Sequence, residues 1–157
     1  MAGKNEIAVR DVEAADAAAW AELYTGYRDF YELPRDADAV ARIWSWVLGR
    51  QHSLRGLVVV GESGELVALA NLRLFARPSS GTLGLYLDDL FTAPAARGSG
   101  AGRALLGRAA EIAAEEGATV VRWITAASNA TARRLYDAHA TATPWVTYDM
   151  RPAAPGS

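Results

Sequence analysis

The stretch FTAPAARGSGAGRALLGRAAEIAAEEG, residues 91–117, constrains the fold more than any other part of the chain. A strand ending at Phe91-Thr92 runs into a turn of small residues, Gly98-Ser-Gly-Ala-Gly102. An amphipathic helix begins at once, with Leu105, Leu106, Ala109, Ile112 and Ala113 at helical spacing. The strand-forming run TVVRWITA follows within a few residues. Strand, helix and strand joined this closely in one sheet require a parallel crossover, and such crossovers are right-handed. The expected elements are a strand over 83–92, a helix over 102–116 and a strand over 119–126.

The rest of the chain supplies what that crossover packs against. EIAVRDV alternates apolar and polar residues and reads as a first strand. DAAAWAELYTGYRDFYE carries Trp20, Leu23, Tyr24 and Tyr27 at helical spacing, and Pro34 closes it. DADAVARIWSWVLG is a second helix, with Val40, Ile43, Trp44 and Val47 on one stripe. LRGLVVVGE and LVALANLRLFA form a hairpin turning at ESGE. After the crossover come a helix, NATARRLYDAHA, and a last strand, PWVTYDM. The order β-α-α-β-β-β-α-β-α-β predicts an α/β fold with a mixed, mostly antiparallel central sheet and helices on both faces. No repeat, long linker or low-complexity run divides the 157 residues, so one domain over 1–157 is expected, frayed at about 1–4 and 152–157.

Composition excludes several function classes. There is no cysteine, hence no disulfide framework, thiolate metal site or cysteine nucleophile. His52 and His139 are the only histidines, too few for a histidine-rich metal site, and neither carries an expected role. A formal charge of −2 gives no basic footprint for nucleic acid. No stretch is apolar and long enough to span a membrane, and the N-terminus lacks a signal-peptide core, so a cytoplasmic protein is expected.

A glycine-rich turn before a helix suits an anion. The helix start has unpaired N–H groups and a partial positive charge, and glycines let a bulky phosphate approach. A bare flexible connection is the alternative. Arg103 opposes the helix dipole unless an anion is present. A P-loop requires Lys-Ser/Thr where Arg103-Ala104 stands. A dinucleotide fingerprint fails at Arg103 from Gly98, and at Leu105 from Gly100. Arg97-Gly98-Ser99-Gly100-Ala101-Gly102 instead fits Arg/Gln-x-x-Gly-x-Gly/Ala, the acetyl-CoA pyrophosphate loop.

On that motif the chain resembles the GCN5-related N-acetyltransferase (GNAT) superfamily. LYLDDLFTAPAARGSGAGRALL resembles the family's fourth strand, loop and third helix, and NATARRLY resembles its later Asn-x-x-Ala-x-x-x-Tyr helix. YLDDLF is similar, more weakly, to the acidic pair of the small-amine branch, the diamine and polyamine acetyltransferases. DAHATATPWVTYDM departs from the Gly-Phe pair that many members carry after the tyrosine, which bears on substrate rather than cofactor.

The resemblance implies acetyl-CoA as co-substrate. Leu90, Phe91 and Thr92 would pair with its pantetheine arm through backbone groups. Arg97, Gly98, Ser99, Gly100, Ala101, Gly102 and Arg103 would surround its pyrophosphate, and Asn129 and Tyr136 would touch it as well. Asn129 and Tyr136 are seven residues apart, on one helix face about two turns apart. Simple sheet pairing at 90–92, a helix cap at Asn129 and a core tyrosine at Tyr136 are the structural alternatives. Tyr27, Tyr31 and Glu32, with Phe30, form an aromatic and acidic cluster suited to a cationic amine, or else core packing.

Asp88 and Asp89 are strand neighbours, so their side chains point to opposite faces unless a bulge intervenes, as is expected beside an active site. Position favours Asp88 as amine ligand and general base, with Tyr136 protonating the leaving sulfur. The function implied is direct acetyl transfer to a primary amine, a small molecule, in a ternary complex, with no metal. A non-catalytic CoA-binding sensor and a protein or peptide N-acetyltransferase are the alternatives. Family habit implies a homodimer.

Overall fold

The computed structural model describes residues 7–156. The fraying expected at 1–4 lies outside the described residues. Two compact units divide the chain after Ile124.

The first unit holds the sheet and three helices. Strand β1 (Ala8–Asp11) leads into helix α1 (Ala17–Phe30) and helix α2 (Ala37–Leu48). Strands β2 (Leu54–Val60), β3 (Leu66–Arg77) and β4 (Thr82–Thr92) follow, then helix α3 (Ala101–Glu115) and strand β5 (Ala118–Arg122). The strands lie in the order β1-β2-β3-β4-β5. The first four pair antiparallel, while β5 joins β4 in parallel through the α3 crossover. The expected hairpin is present: the Gly61 N–H donates to the Glu65 carbonyl at 2.7 Å across the turn.

Local chemistry explains the helix limits. The Asp36 carboxylate accepts the Ala39 N–H at 2.9 Å and caps α2. Helix α1 ends before Pro34 is reached, in a Schellman turn. Leu33 N–H donates to the Arg28 carbonyl and Glu32 N–H to that of Asp29. Glu32 takes the left-handed position, φ 54°, that glycine usually fills.

The core forms where sheet alternation meets helical stripes. Val58, Leu69 and Phe91 stand in register across β2, β3 and β4. They bury Trp20, Leu23 and Tyr24 of α1 and Val40 and Val47 of α2. Strand alternation turns Leu57, Val59, Ala68 and Ala70, also buried, toward the other face. Helix α3 packs on the sheet with Ala101, Leu105, Leu106, Ala109, Ile112 and Ala113 inward.

The second unit, residues 125–156, contains helix α4 (Ala130–Asp137). The Asn129 side chain accepts the Ala132 N–H at 3.4 Å and caps it. The last strand expected at PWVTYDM does not form: residues 141–156 contain no helix or strand. Trp145, Val146, Tyr148 and Met150 are 73–93% exposed. Residues with β propensity make a strand only where a ladder and a packed face receive them. Among the described residues no helix is long and apolar enough to cross a membrane.

Candidate active site

A break in pairing on β4 organises the site. Asn71 of β3 pairs with Asp89, but the next residue, Leu72, pairs with Leu87. Asp88 is the extra residue of a β-bulge, which interrupts alternation and brings both aspartates to one cleft. That cleft has a volume of about 550 Å³, within the range of small-ligand sites. Asp88, Asp89, Asn71 and Arg73 supply its polar wall, and Tyr24 and Trp46 its aromatic one.

The two carboxylates differ in their surroundings. Asp88 accepts from Arg73 Nε at 2.9 and 3.1 Å, and the same guanidinium lies over the Tyr86 ring at 4.7 Å. Burial pushes the Asp88 carboxyl above its ordinary range, against the opposing pull of Arg73. Asp89 Oδ2 accepts from Asn71 Nδ2 at 2.8 Å and from the Tyr24 hydroxyl at 3.2 Å. Burial, reinforced by the Asp89 charge, holds the Tyr24 and Tyr27 hydroxyls well above the usual tyrosine range, so both are protonated donors.

Tyr27 stacks on Tyr24 at 5.2 Å and contacts Tyr31 at 4.9 Å. Tyr31 and Glu32 lie at the exposed end of α1, outside the cleft lining. Tyr24, Trp46, His52, Asn71 and Arg73 line the cleft, although no site role was expected for any of them. One signal was available: Asn71 is the lone amide in an apolar strand that buries both faces. His52 meets Trp46 edge to face at 5.0 Å. It holds a left-handed φ of 55° in a turn where Arg50 and Ser53 do the same.

The same strand leads to the glycine loop. Beyond Tyr86, β4 has no ladder with β5, because their register covers only Leu83 to Tyr86. Among the described residues, no strand pairs with Leu87 to Thr92 on that side. Leu90 and Thr92 are half-buried, and Phe91 is buried against Tyr27. Gly98 and Gly100 adopt φ values of 78° and 89°, which side chains rarely tolerate. Gly100 precedes α3 without any side-chain cap. The first-turn amides of Ala101, Gly102 and Arg103 therefore have no intrahelical acceptor and, among the described residues, no side-chain cap. Gly98, Ser99 and Gly100 are exposed. Gly102 lies within the helix, so its backbone does not demand glycine. Arg97 rests over the Phe30 ring at 5.3 Å, which ties the loop to the end of α1.

In the second unit, Asn129 caps α4 as its structural reading expected. Tyr136 is half-buried near the end of that helix.

The chain is 32% identical over 129 residues to the uncharacterized N-acetyltransferase YhfO of Bacillus subtilis (strain 168), covering 82% of this chain and 85% of that one. The fold is similar to a ribosomal-protein-alanine N-acetyltransferase from Brucella melitensis biovar Abortus 2308. Its TM-score is 0.79 at 22% identity, with 93% and 99% of the two chains covered. It is also similar to AAC(6')-Iy, solved in complex with a bisubstrate analog, CoA-S-monomethyl-acetylneamine. There the TM-score is 0.81 at 14% identity, over 95% and 100%. The model of the Acetyltransferase (GNAT) family matches residues 20–140, and the chain belongs to that family.

Proposed function

We propose that this acyltransferase moves an acetyl group from acetyl-CoA to a primary amine, a small molecule of the diamine or polyamine kind, by direct transfer in a ternary complex. The observation that carries the reading is the course of β4. Its bulge presents two carboxylates to an aromatic cleft, its next residues leave one edge open, and the loop that follows it leads to an uncapped, glycine-lined helix start.

The co-substrate supplies an activated acetyl thioester. Its pyrophosphate fits the glycine turn at Gly98 to Gly100 and the uncapped first-turn amides of α3, where anion and helix dipole are complementary. Arg97 adds positive charge beside them. The open edge at Leu90, Phe91 and Thr92 suits the amide-bearing pantetheine arm, which can pair there as an added strand does.

The acceptor arrives as an ammonium, because an alkylamine has a pKa of about 10. Its nitrogen has no lone pair until a proton leaves. Asp88 is the base in this scheme, since burial raises its proton affinity toward the working range. Backbone N–H groups along the open edge of β4 then face the carbonyl oxygen as it gains charge. On the family resemblance, Tyr136 gives the departing sulfur its proton, and Asn129 contacts the co-substrate. Tyr27, Tyr31 and Glu32 extend the aromatic and acidic surface beside the cleft. With no cysteine in the chain, an acetyl-cysteine route is closed. A cytoplasmic homodimer remains part of the proposal on family habit.

The test is thiol release from acetyl-CoA with a panel of small amines, amino sugars, amino acids and peptides. Turnover with small amines supports the reading. Turnover confined to peptides makes the enzyme a peptide N-acetyltransferase. Tight binding of acetyl-CoA with no turnover makes it a CoA-binding sensor.

A further inference from the structure

One buried polar atom of the cleft is not used by the fold. Asn71 is 1% exposed, in the middle of β3. Its Nδ2 donates to Asp89 Oδ2 at 2.8 Å, while its Oδ1 has no hydrogen-bond partner among the described residues. Turning the amide over would set its oxygen against the carboxylate and lose that bond, so the orientation follows from the network. A buried carbonyl oxygen left without a donor is costly, and such atoms are uncommon in native structures. Asn71 lines the same cleft as Asp89.

No neighbour among the described residues supplies the missing donor. Arg73, the arginine of the cleft wall, turns its Nε to Asp88. The Tyr24 hydroxyl already donates to Asp89. Asn71 Oδ1 and the Asp89 carboxylate thus form adjacent acceptors on one wall, and the matching ligand brings two donors on one small group. A primary amine does so. After one proton is lost it keeps two N–H bonds and a lone pair. Holding both N–H bonds on the wall fixes the direction of the lone pair. A secondary amine at the same stage has one N–H and leaves an acceptor unpaired.

We propose that Asn71 Oδ1 and Asp89 together hold the acceptor nitrogen through two N–H bonds, so that Asn71 makes the site selective for primary over secondary amines. This rests on the acetyltransferase reading above, and it gives Asp89 the binding task while Asp88 takes the proton.

The experiment compares a primary amine that the enzyme acetylates with its N-methyl derivative. It uses the full-length protein and the Asn71→Leu and Tyr24→Phe variants. The wild type is expected to favour the primary amine by roughly tenfold or more in kcat/KM. Asn71→Leu keeps the branched outline and the heavy-atom count, and removes the acceptor oxygen together with the amide donor to Asp89. It should raise KM for the primary amine by a similar factor, leave KM for acetyl-CoA unchanged and bring the two amines close to parity. Tyr24→Phe removes a tyrosine donor to Asp89 and leaves Asn71 in place, so it should weaken both amines alike and preserve their ratio.

Equal use of both amines by the wild type overturns the proposal without any variant. Full rejection of the N-methyl amine by folded Asn71→Leu also overturns it, by making the selection steric. Collapse of the ratio in Tyr24→Phe moves the selectivity from Asn71 to the placement of Asp89, with the same result. No thiol release with any amine removes the acetyltransferase reading and this inference together, whereas release without the preference removes this inference alone.

Discussion

Asp88 and Asp89 carry the same side chain and meet different partners, and that difference decides their chemistry. Asp88 pairs with Arg73, yet burial outweighs the pairing and keeps its carboxyl above the ordinary aspartate value of 3.8. The acidic limb of the wild-type rate profile should therefore lie above pH 3.8. Asp88→Asn should lower turnover by roughly 10²–10⁴ near neutral pH and recover as pH approaches the amine's own pKa of about 10. A pH–rate profile of both proteins checks this, and superimposable profiles would assign the base to a water chain. Strand alternation alone predicts a mild defect for Asp89→Asn, but the bulge turns Asp89 into the same cleft. The aspartate pair was legible in YLDDLF, and a bulge was expected there because bulges are common beside active sites. The partners Tyr24, Asn71 and Arg73 were not, because cross-strand and helix-to-sheet contacts are set by register rather than by local spacing.

Among the elements, α3 does two jobs with its two ends. Its inward stripe anchors the crossover, while its start offers uncapped amides beside Gly100. Gly100 sits at φ 89°, and a Cβ there would also approach the Ile7 side chain at 3.3 Å. Gly100→Val should weaken acetyl-CoA binding by roughly tenfold or more, since the branched side chain disfavours the left-handed turn that aims the amides. Gly107→Ala, at an exposed helical position where a Cβ meets nothing within 4 Å, is the control. It should stabilise the fold by about 0.5–1 kcal/mol and leave affinity unchanged. Calorimetric titration of both variants with acetyl-CoA separates these effects, and full affinity in folded Gly100→Val would remove the pyrophosphate cradle. The crossover, the hairpin and the four antiparallel strands were legible because each is signalled within one short window. The strand expected at PWVTYDM was not sound, since composition there speaks for β structure while pairing depends on a neighbour the local sequence does not specify.

Over the whole molecule, two carboxylates pull the pH dependence of stability in opposite directions. Asp16 is buried and receives a bidentate bridge from Arg10 at 2.7 and 3.0 Å, plus the Glu13 N–H at 2.8 Å. The Arg10 hydrogen bond leads in holding its carboxyl below the ordinary 3.8. Its folded value is thus lower than its unfolded one. The stability it adds is present above pH 3.8 and is lost as pH falls through the folded value. Asp88 has the reverse sign. Its raised folded value favours the native state at low pH, and that contribution is lost as pH rises through the folded value. Asp16→Asn should cost about 1–3 kcal/mol near neutral pH, lowering the unfolding midpoint by several degrees and flattening its acid decline. Asp88→Asn should instead raise the midpoint modestly near neutral pH and lose that advantage as pH falls, even as it disables the proposed base. A functional carboxylate held against its own solvation is expected to trade stability for activity in this way. Thermal unfolding of the three proteins from about pH 3 to pH 8 resolves the signs. An Asp88→Asn midpoint below wild type near neutral pH would mean that the Arg73 pair outweighs burial, and would withdraw the raised carboxyl on which the base assignment depends.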